Sequence, residues 1–322
     1  ANIMSMVKQQ GYSYLMAGMM HAEVTRYDTS IGTFLGVHDA LYTGSIEILA
    51  SEEQQQRWLP DAYSLNKIGA FGLTEPGAGS DIAGGAQTTA KKTSNGWVLN
   101  GAKRWIGNAT FSDYVIIFAA DEEDRQLKAF MVPTETLGYE ASKIENKVSL
   151  RTVQNADIRL HNVEIPHENK LENANSFKDT NKVLKETRVG VAWQAVGQQL
   201  AAYDIALAYA KDRKQFGKPI ASFQMIQDQL VDILGNAQAS MAMMVQLANL
   251  QQQGKLTDAQ SALSKRFTSQ KMRESVAIAR SILGGNGIVA DHHAAKVFAD
   301  AEAIYTYEGT HEVNTLVVGR AI

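Results

Sequence analysis

With 322 residues, 45% of them hydrophobic and 20% charged, the chain is long enough for two or three domains around substantial cores and has an ordinary globular composition. A net charge of −3 gives no bulk positive field for nucleic acid or an anionic membrane, and no apolar run is long enough to span a bilayer. The lack of cysteine excludes disulfides, thiolate catalysis and cysteine-ligated metal. No signal peptide opens the chain. Helix-like patterning from residue 1 and the abrupt Gly-Arg-Ala-Ile322 ending read as a truncated segment.

Residues 3–26 read as a helix rich in Met and Ala, its Met stripe assigned to core packing rather than to a cofactor pocket. A second helix is predicted over 30–49. Ser51-Glu-Glu-Gln54 has the form of a capping box and opens a short helix that ends before Leu59-Pro60. At Lys67 the pattern changes. Ile68-Gly-Ala-Phe-Gly-Leu-Thr74 reads as a buried strand leading into a glycine-rich loop, with turn signals at Asn95-Gly96 and Asn100-Gly101. Strands are predicted at 97–99, 104–106, 113–118, 128–132 and 156–160, which suggests an antiparallel sheet or small barrel. Helical spacing then returns over 179–211, 222–252 with Ser222 as N-cap, 257–283 closed by Gly284-Gly285, 294–303 and 312–320. Long apolar-striped helices with short connections argue a bundle. The fold class is α+β and multidomain: a helical N-terminal domain at 1–65, a middle antiparallel β domain at 66–168 and a C-terminal helical domain at 169–322.

Five stretches can carry chemistry. In Leu73-Thr-Glu-Pro-Gly-Ala-Gly-Ser-Asp81 the glycines let backbone N–H groups approach an anion, and Thr74 and Ser80 add hydroxyls; a plain surface turn explains the spacing equally well. Strands rather than a helix are predicted to follow it, so it is no dinucleotide fingerprint. Trp105, in Lys103-Arg-Trp-Ile-Gly-Asn108, can cover a flat cofactor, although a core tryptophan is the commoner use. In Arg213-Lys-Gln-Phe-Gly217, Arg213 suits a phosphate and Phe216 a ring; cations decorating a helix end are the plainer reading. Leu283-Gly-Gly-Asn-Gly287 is a helix stop or a close backbone approach to a ligand. Glu308, in Tyr305-Thr-Tyr-Glu-Gly-Thr-His-Glu-Val313, sits before a predicted helix near Thr310. It is either a base tuned by its surroundings or a partner of the helix dipole. His292 and His293 would diverge on a helix, and no spacing proposes a metal site.

Taken in order, these stretches resemble the acyl-CoA dehydrogenase family of flavoenzymes, over nearly the whole chain from about Glu23 to Ile322. Within it, Arg151-Thr-Val-Gln-Asn155, Ser176-Phe-Lys-Asp-Thr180 and Ile304-Tyr-Thr-Tyr-Glu308 are most similar to the branch of glutaryl-CoA dehydrogenases and plant peroxisomal short-chain acyl-CoA oxidases. The resemblance implies a C-terminal four-helix bundle, FAD, an acyl-CoA thioester, fatty acid β-oxidation and a homotetramer. It implies that Glu308 removes the α-proton while hydride leaves for flavin N5, with the thioester carbonyl polarised by the Glu308 N–H and a ribityl hydroxyl. Phe71, Leu73, Thr74, Gly79 and Ser80 match the flavin-contacting strand and loop, Trp105, Ile106 and Gly107 the segment beside the ring, and Thr310 a further FAD contact. Arg213, Phe216 and Gln224 match contacts to the FAD of a neighbouring subunit, and Gly284 and Gly285 match the loop near its adenosine half. Ser80, Arg188 and Gly309 match substrate contacts.

Two departures stand out. Where many members have Trp-Ile-Thr, this chain has Gly107, so a hydroxyl partner is missing and space is expected to open beside N5. The arginine that glutaryl-specific members use for the distal carboxylate falls at Gly32, which argues for a short uncharged acyl chain. The resemblance leaves three readings: a dehydrogenase passing electrons to an electron-transferring flavoprotein, an oxidase passing them to oxygen, and a non-catalytic flavin-binding scaffold, against which Glu308 speaks. It implies a cytoplasmic enzyme if bacterial, and one of the mitochondrial matrix or peroxisome if eukaryotic.

Overall fold

The computed structural model describes residues 3–322. The chain divides into two compact units. One contains the start of the chain to Gly11, Thr33–Lys147 and Thr152–Thr187; the other contains Tyr12–Gly32, Val148–Arg151 and Arg188–Ile322.

The first unit is built on a seven-stranded sheet: β1 (Gly69–Gly72), β2 (Thr89–Lys92), β3 (Trp97–Ile106), β4 (Tyr114–Asp121), β5 (Leu127–Pro133), β6 (Tyr139–Lys143) and β7 (Ala156–Ile165). Spatial order is β1-β4-β2-β3-β7-β6, with β5 also on β4. Four strand pairs are antiparallel, while β1 and β2 join β4 in parallel. The apolar run of β4 is explained by burial on both faces. Val115, Ile117 and Ala119 pack with Leu99 and Phe130 on one side; Ile116 and Phe118 pack with Phe71, Tyr42, Ile46 and Trp58 on the other. β3 runs straight through the predicted Asn100-Gly101 turn as one strand. Register shifts against β7 at Leu99/Gly101 and Lys103/Ile106 absorb the irregularity. A one-turn helix, Ile82–Gly85, follows the glycine-rich loop where strands alone were predicted.

The predicted helix 3–26 is two helices, Ile3–Gln10 and Tyr14–Tyr27, parted at Gly11 and restarted by Ser13, whose hydroxyl accepts from the Met16 N–H at 3.2 Å. Among the described side chains its Met stripe is not fully buried: Met16 and Met19 stand about half exposed, at 45% and 49%, Met6 and Met20 are partly buried, and the Met4 side chain lies outside the described ones. The buried face is instead Ala17, Gly18, His21, Ala22 and Thr25, small enough for the Trp193 indole to lie against Gly18. The predicted helix 30–49 is Thr29–Leu35, a π-helical stretch Gly36–Thr43, and Gly44–Leu49. Within the π-helical stretch His38 is buried, accepting from the Gly69 N–H on Nδ1 and facing the Ala62 carbonyl through Nε2, with burial lowering its pKa. The capping box at Ser51 forms as predicted, but the helix Glu52–Ser64 continues through Pro60. Buried Trp58 and Ala62 hold it on either side of the missing N–H.

The second unit is helical. Its long elements are Phe177–Asp212, which begins in the first unit, then Gln224–Gln252, Asp258–Ile282, Ala294–Thr306 and His311–Gly319. Thr257 and Gln260 form a reciprocal capping box. Ser222 is not the N-cap predicted; its hydroxyl donates to the Pro219 carbonyl at 2.7 Å and the helix begins at Gln224. A small hairpin, Lys214–Gln215 with Lys218–Pro219, turns at Phe216 and Gly217, both at positive φ.

Candidate active site

In the first unit the glycine-rich loop is stapled from below. Glu75 and Ala78 exchange backbone hydrogen bonds, which closes a tight turn. The buried Glu75 carboxylate accepts from the N–H groups of Gln87 and Thr88 at 2.7 and 3.0 Å, and from Lys103 Nζ at 2.7 Å. Lys103 also donates to the Leu73 carbonyl at 3.0 Å. Burial pushes the Lys103 ammonium down to about 8, against the pull of Glu75. Burial pushes Glu75 upward, but Lys103 and the amide donors outweigh it and its pKa is lowered. Phe71 and Leu73 are buried, Thr74 is half-buried, and Gly79 and Ser80 are exposed.

The Arg104 N–H donates to the Thr74 carbonyl at 2.9 Å, which joins the end of β3 to this loop. The adjacent bulge places Trp105 at φ +66, with its indole 52% exposed and the Arg104 guanidinium 4.8 Å from its ring centre. Arg104 is held by both oxygens of Asp157. Ile106 and Gly107 are buried. The expected space at Gly107 is not there: a Cβ built on it would lie 3.1 Å from Val37 Cγ2. Val37 comes from the π-helical stretch, which the sequence pattern did not reveal.

In the second unit, Glu308 is half-buried between the helices Ala294–Thr306 and His311–Gly319, at φ +58 and followed by Gly309 at φ +82. Tyr307 donates to Gln194 Oε1 at 2.8 Å, and Gln194 Nε2 donates to the Gly32 carbonyl at 2.9 Å. Gly32 therefore lies at the end of a relay that starts beside Glu308. It has no room for a side chain: a Cβ would meet Thr25 Oγ1 at 2.3 Å. Thr310 caps the last helix by accepting from the Val313 N–H. Lys265 Nζ donates to the carbonyls of Tyr305 and Gly309. Arg188 is buried, and its Nε has no hydrogen-bond partner. Arg213, Phe216, Gln224, Gly284 and Gly285 lie on exposed surface, with Phe216 94% exposed.

Lys265, Gln194, Asn314 and the Glu75–Lys103 pair were missed by sequence reasoning. Lys265 carried a signal, since it shares the buried stripe of Ser261, Thr268 and Met272 at helical spacing.

The chain matches the N-terminal, middle and C-terminal domains of acyl-CoA dehydrogenase over residues 6–66, 70–163 and 177–322. It is 36% identical over 312 residues to the mitochondrial short-chain specific acyl-CoA dehydrogenase of Mus musculus, covering 96% of this chain and 76% of that protein. The chain belongs to the acyl-CoA dehydrogenase family. Members are FAD-dependent oxidoreductases acting on acyl-CoA. Among solved structures, butyryl-CoA dehydrogenase from Megasphaera elsdenii matches with a TM-score of 0.94 and 32% identity, over 99% of this chain and 87% of that one. A glutaryl-CoA dehydrogenase from Mycobacterium smegmatis, in complex with FADH2, matches with a TM-score of 0.95 and 30% identity, over 99% and 83%. No helix among the described residues is long and apolar enough to cross a membrane.

The residues present fit a flavin. Trp105 offers a flat, half-exposed face on a backbone conformation that costs about 1–3 kcal/mol and persists where the surroundings impose it. In the glycine-rich loop, a Cβ at Gly79 would meet nothing within 4 Å, which leaves the loop open to a close backbone approach by a ligand.

Proposed function

We propose that the chain catalyses α,β-dehydrogenation of a short, uncharged acyl-CoA, with Glu308 as the base that removes the α-proton. The observation that carries this is the Glu308 junction: a half-buried carboxylate on a left-handed residue, its flanking backbone held by hydrogen bonds on both sides. Bound FAD supplies the two-electron acceptor for the hydride that leaves the β-carbon. Phe71, Leu73, Thr74, Gly79, Ser80 and Trp105 to Gly107 would hold the flavin, and Thr310 a further part of it. The exposed Arg213, Phe216, Gln224, Gly284 and Gly285 suit the cofactor of a second copy in a homo-oligomer. Arg188, with its orphaned Nε, and Ser80 would anchor the CoA portion, with Gly309 beside the base.

Substrate length and charge are read from Gly32. A distal carboxylate there would meet no cation from this position, since Thr25 fills the place of a side chain. A buried unpaired carboxylate is costly, so butyryl-CoA is preferred over glutaryl-CoA by roughly a hundredfold or more. An electron-transferring flavoprotein is the proposed acceptor. The missing hydroxyl at Gly107 favours oxygen as a second reading, but Val37 packed against Gly107 removes the widened edge that reading relied on.

Anaerobic mixing with butyryl-CoA tests the proposal. The wild type is expected to bleach the flavin rapidly. Glu308→Gln is expected to retain FAD and bleach several orders of magnitude more slowly. Near-normal bleaching by Glu308→Gln removes Glu308 as the base. Turnover with oxygen and with an artificial acceptor, compared side by side, separates dehydrogenase from oxidase.

A further inference from the structure

Lys265 is fully buried on the Asp258–Ile282 helix, and its ammonium donates at 2.7 Å to the Tyr305 carbonyl and at 2.8 Å to the Gly309 carbonyl. These two carbonyls bracket Glu308. Tyr305 lies in the last turn of Ala294–Thr306, where carbonyls have no partner within the helix. Gly309 directly follows the base. Between them the chain passes through two successive positive-φ residues, and Glu308 is a residue type that seldom adopts that conformation. The far side of the loop is fixed separately, since Asn314 Nδ2 donates to the carbonyls of Gly309 and Thr310 at 2.8 and 3.0 Å.

We propose that Lys265 is a positioning residue for the base: by tying the Tyr305 and Gly309 carbonyls to one ammonium, it sets the backbone on both sides of Glu308 and thereby the direction of its carboxylate. This rests on Glu308 being the base. The reach is specific to lysine. Glutamine and methionine are each one bond shorter; glutamine keeps donors but does not reach both carbonyls, and methionine has no donor. The charge also has a nearby counterpart. The Glu308 carboxylate and Glu312 favour the ammonium form of Lys265, while burial and the Arg188 guanidinium oppose it. The base, the substrate-side arginine and the lysine thus share one electrostatic environment.

The test is a double-mutant cycle on the FAD-loaded enzyme, with butyryl-CoA and an artificial acceptor. Lys265→Met is expected to lower kcat by about a hundredfold, the loss typical of a misdirected reacting group, with KM changed less than about threefold and FAD content kept. In Glu308→Gln the Lys265→Met change is expected to cost less than about threefold more, because a residue acting through the base has nothing left to direct. If Lys265→Met does not fold, Lys265→Gln takes its place, with an expected loss of about tenfold in kcat that is likewise absent in Glu308→Gln. A folded Lys265 variant with wild-type kcat, or losses that multiply in the double variant, overturns the proposal while leaving the base in place. A fast Glu308→Gln enzyme overturns the base assignment itself. A crystal structure of Lys265→Met gives a readout independent of turnover: Glu308 at its original φ, with Tyr305 and Gly309 unmoved, also overturns the proposal.

Discussion

Among the described residues, Lys103 in the first unit and Lys265 in the second are both fully buried beneath a loop, and burial pushes both down to about 8. Their surroundings differ. Lys103 has a carboxylate at 2.7 Å and one backbone carbonyl, and the carboxylate is itself saturated by two amide donors. Lys265 donates to two backbone carbonyls, and the carboxylates of Glu308 and Glu312 act on it through space. The first arrangement is a closed ion pair that fixes a loop. The second ties the ammonium to the backbone around the residue proposed to do chemistry. A buried ammonium held by two carbonyls fixes the backbone of a loop while also acting through space on the carboxylate of that loop.

The largest difference should appear in stability. Lys103→Met leaves the Glu75 charge buried without its cation and is expected to cost about 3–5 kcal/mol in urea unfolding, partly recovered by adding Glu75→Gln. Equal stability of the single and double variants would break the reading of this pair as a unit. Lys265→Met is expected to cost less, about 1–3 kcal/mol, because Asn314 still serves the Gly309 carbonyl. A larger loss than for Lys103→Met would reverse the comparison.

The close-packed glycines sharpen it next. A Cβ at Gly32 falls 2.3 Å from Thr25 Oγ1 and 3.2 Å from Thr25 Cα, so Gly32→Ala is expected to destabilise by about 1–3 kcal/mol, as overpacking does. Gly32→Arg should fail to create a glutaryl-CoA dehydrogenase for the same reason, which a glutaryl-CoA turnover assay checks.

The pH dependence is smaller. Lys265 titrates near 8 in the folded chain and near 10.4 when unfolded. Below pH 8 both states hold the proton. Between these values the unfolded chain binds more protons, so this group's contribution to stability rises with pH. The stability advantage of wild type over Lys265→Met should therefore widen by up to about 1 kcal/mol per pH unit from pH 8 to 10. A flat difference would show that Lys265 is not depressed. The smallest effect is expected at Gly107, where the neighbour is a movable Val37 side chain. Gly107→Thr should cost less than about 1.5 kcal/mol and leave hydrogen peroxide formation with butyryl-CoA unchanged. A marked fall in peroxide would restore the open-edge reading.

The elements most legible in the sequence were those whose signal is local. The Ser51 capping box, the apolar strands around Val115 and Met131, and the helix ending at Gly284-Gly285 are set by neighbours in the chain. Glu308 and Trp105 were legible as candidates, but their positive φ values were not, because strain is imposed by packing from elsewhere. Helix 30–49 read as uniform because its apolar spacing does not distinguish a π-helical stretch from an α-helix. β2 and β6 were missed because polar residues dominate them; β2 is Thr-Ala-Lys-Lys and β6 Tyr-Glu-Ala-Ser-Lys, each stabilised by pairing rather than by its own pattern. Val37 against Gly107 and Thr25 against Gly32 are contacts between segments, which residue spacing cannot report.

The π-helical stretch Gly36–Thr43 also gives the first unit a point at which a one-residue change of chain length can be absorbed. Its backbone bonds reach five residues back, as from the Gly44 N–H to the Asp39 carbonyl, so it holds a residue more than an α-helical turn would. Losing one residue there would let the segment tighten into an ordinary helix and keep the later side chains nearly in phase, whereas a loss from an ordinary α-helix turns every later side chain by roughly 100°. Val37, against Gly107, and His38, with its two hydrogen bonds to Gly69 and Ala62, are adjacent at the start of the stretch, so a loss after them leaves both in their relative directions. No position from Gly36 to Thr43 is exposed, so substitutions in this segment are expected to disturb packing, while loss of one residue after His38 is expected to be taken up by tightening with the contacts of Val37 and His38 left in place.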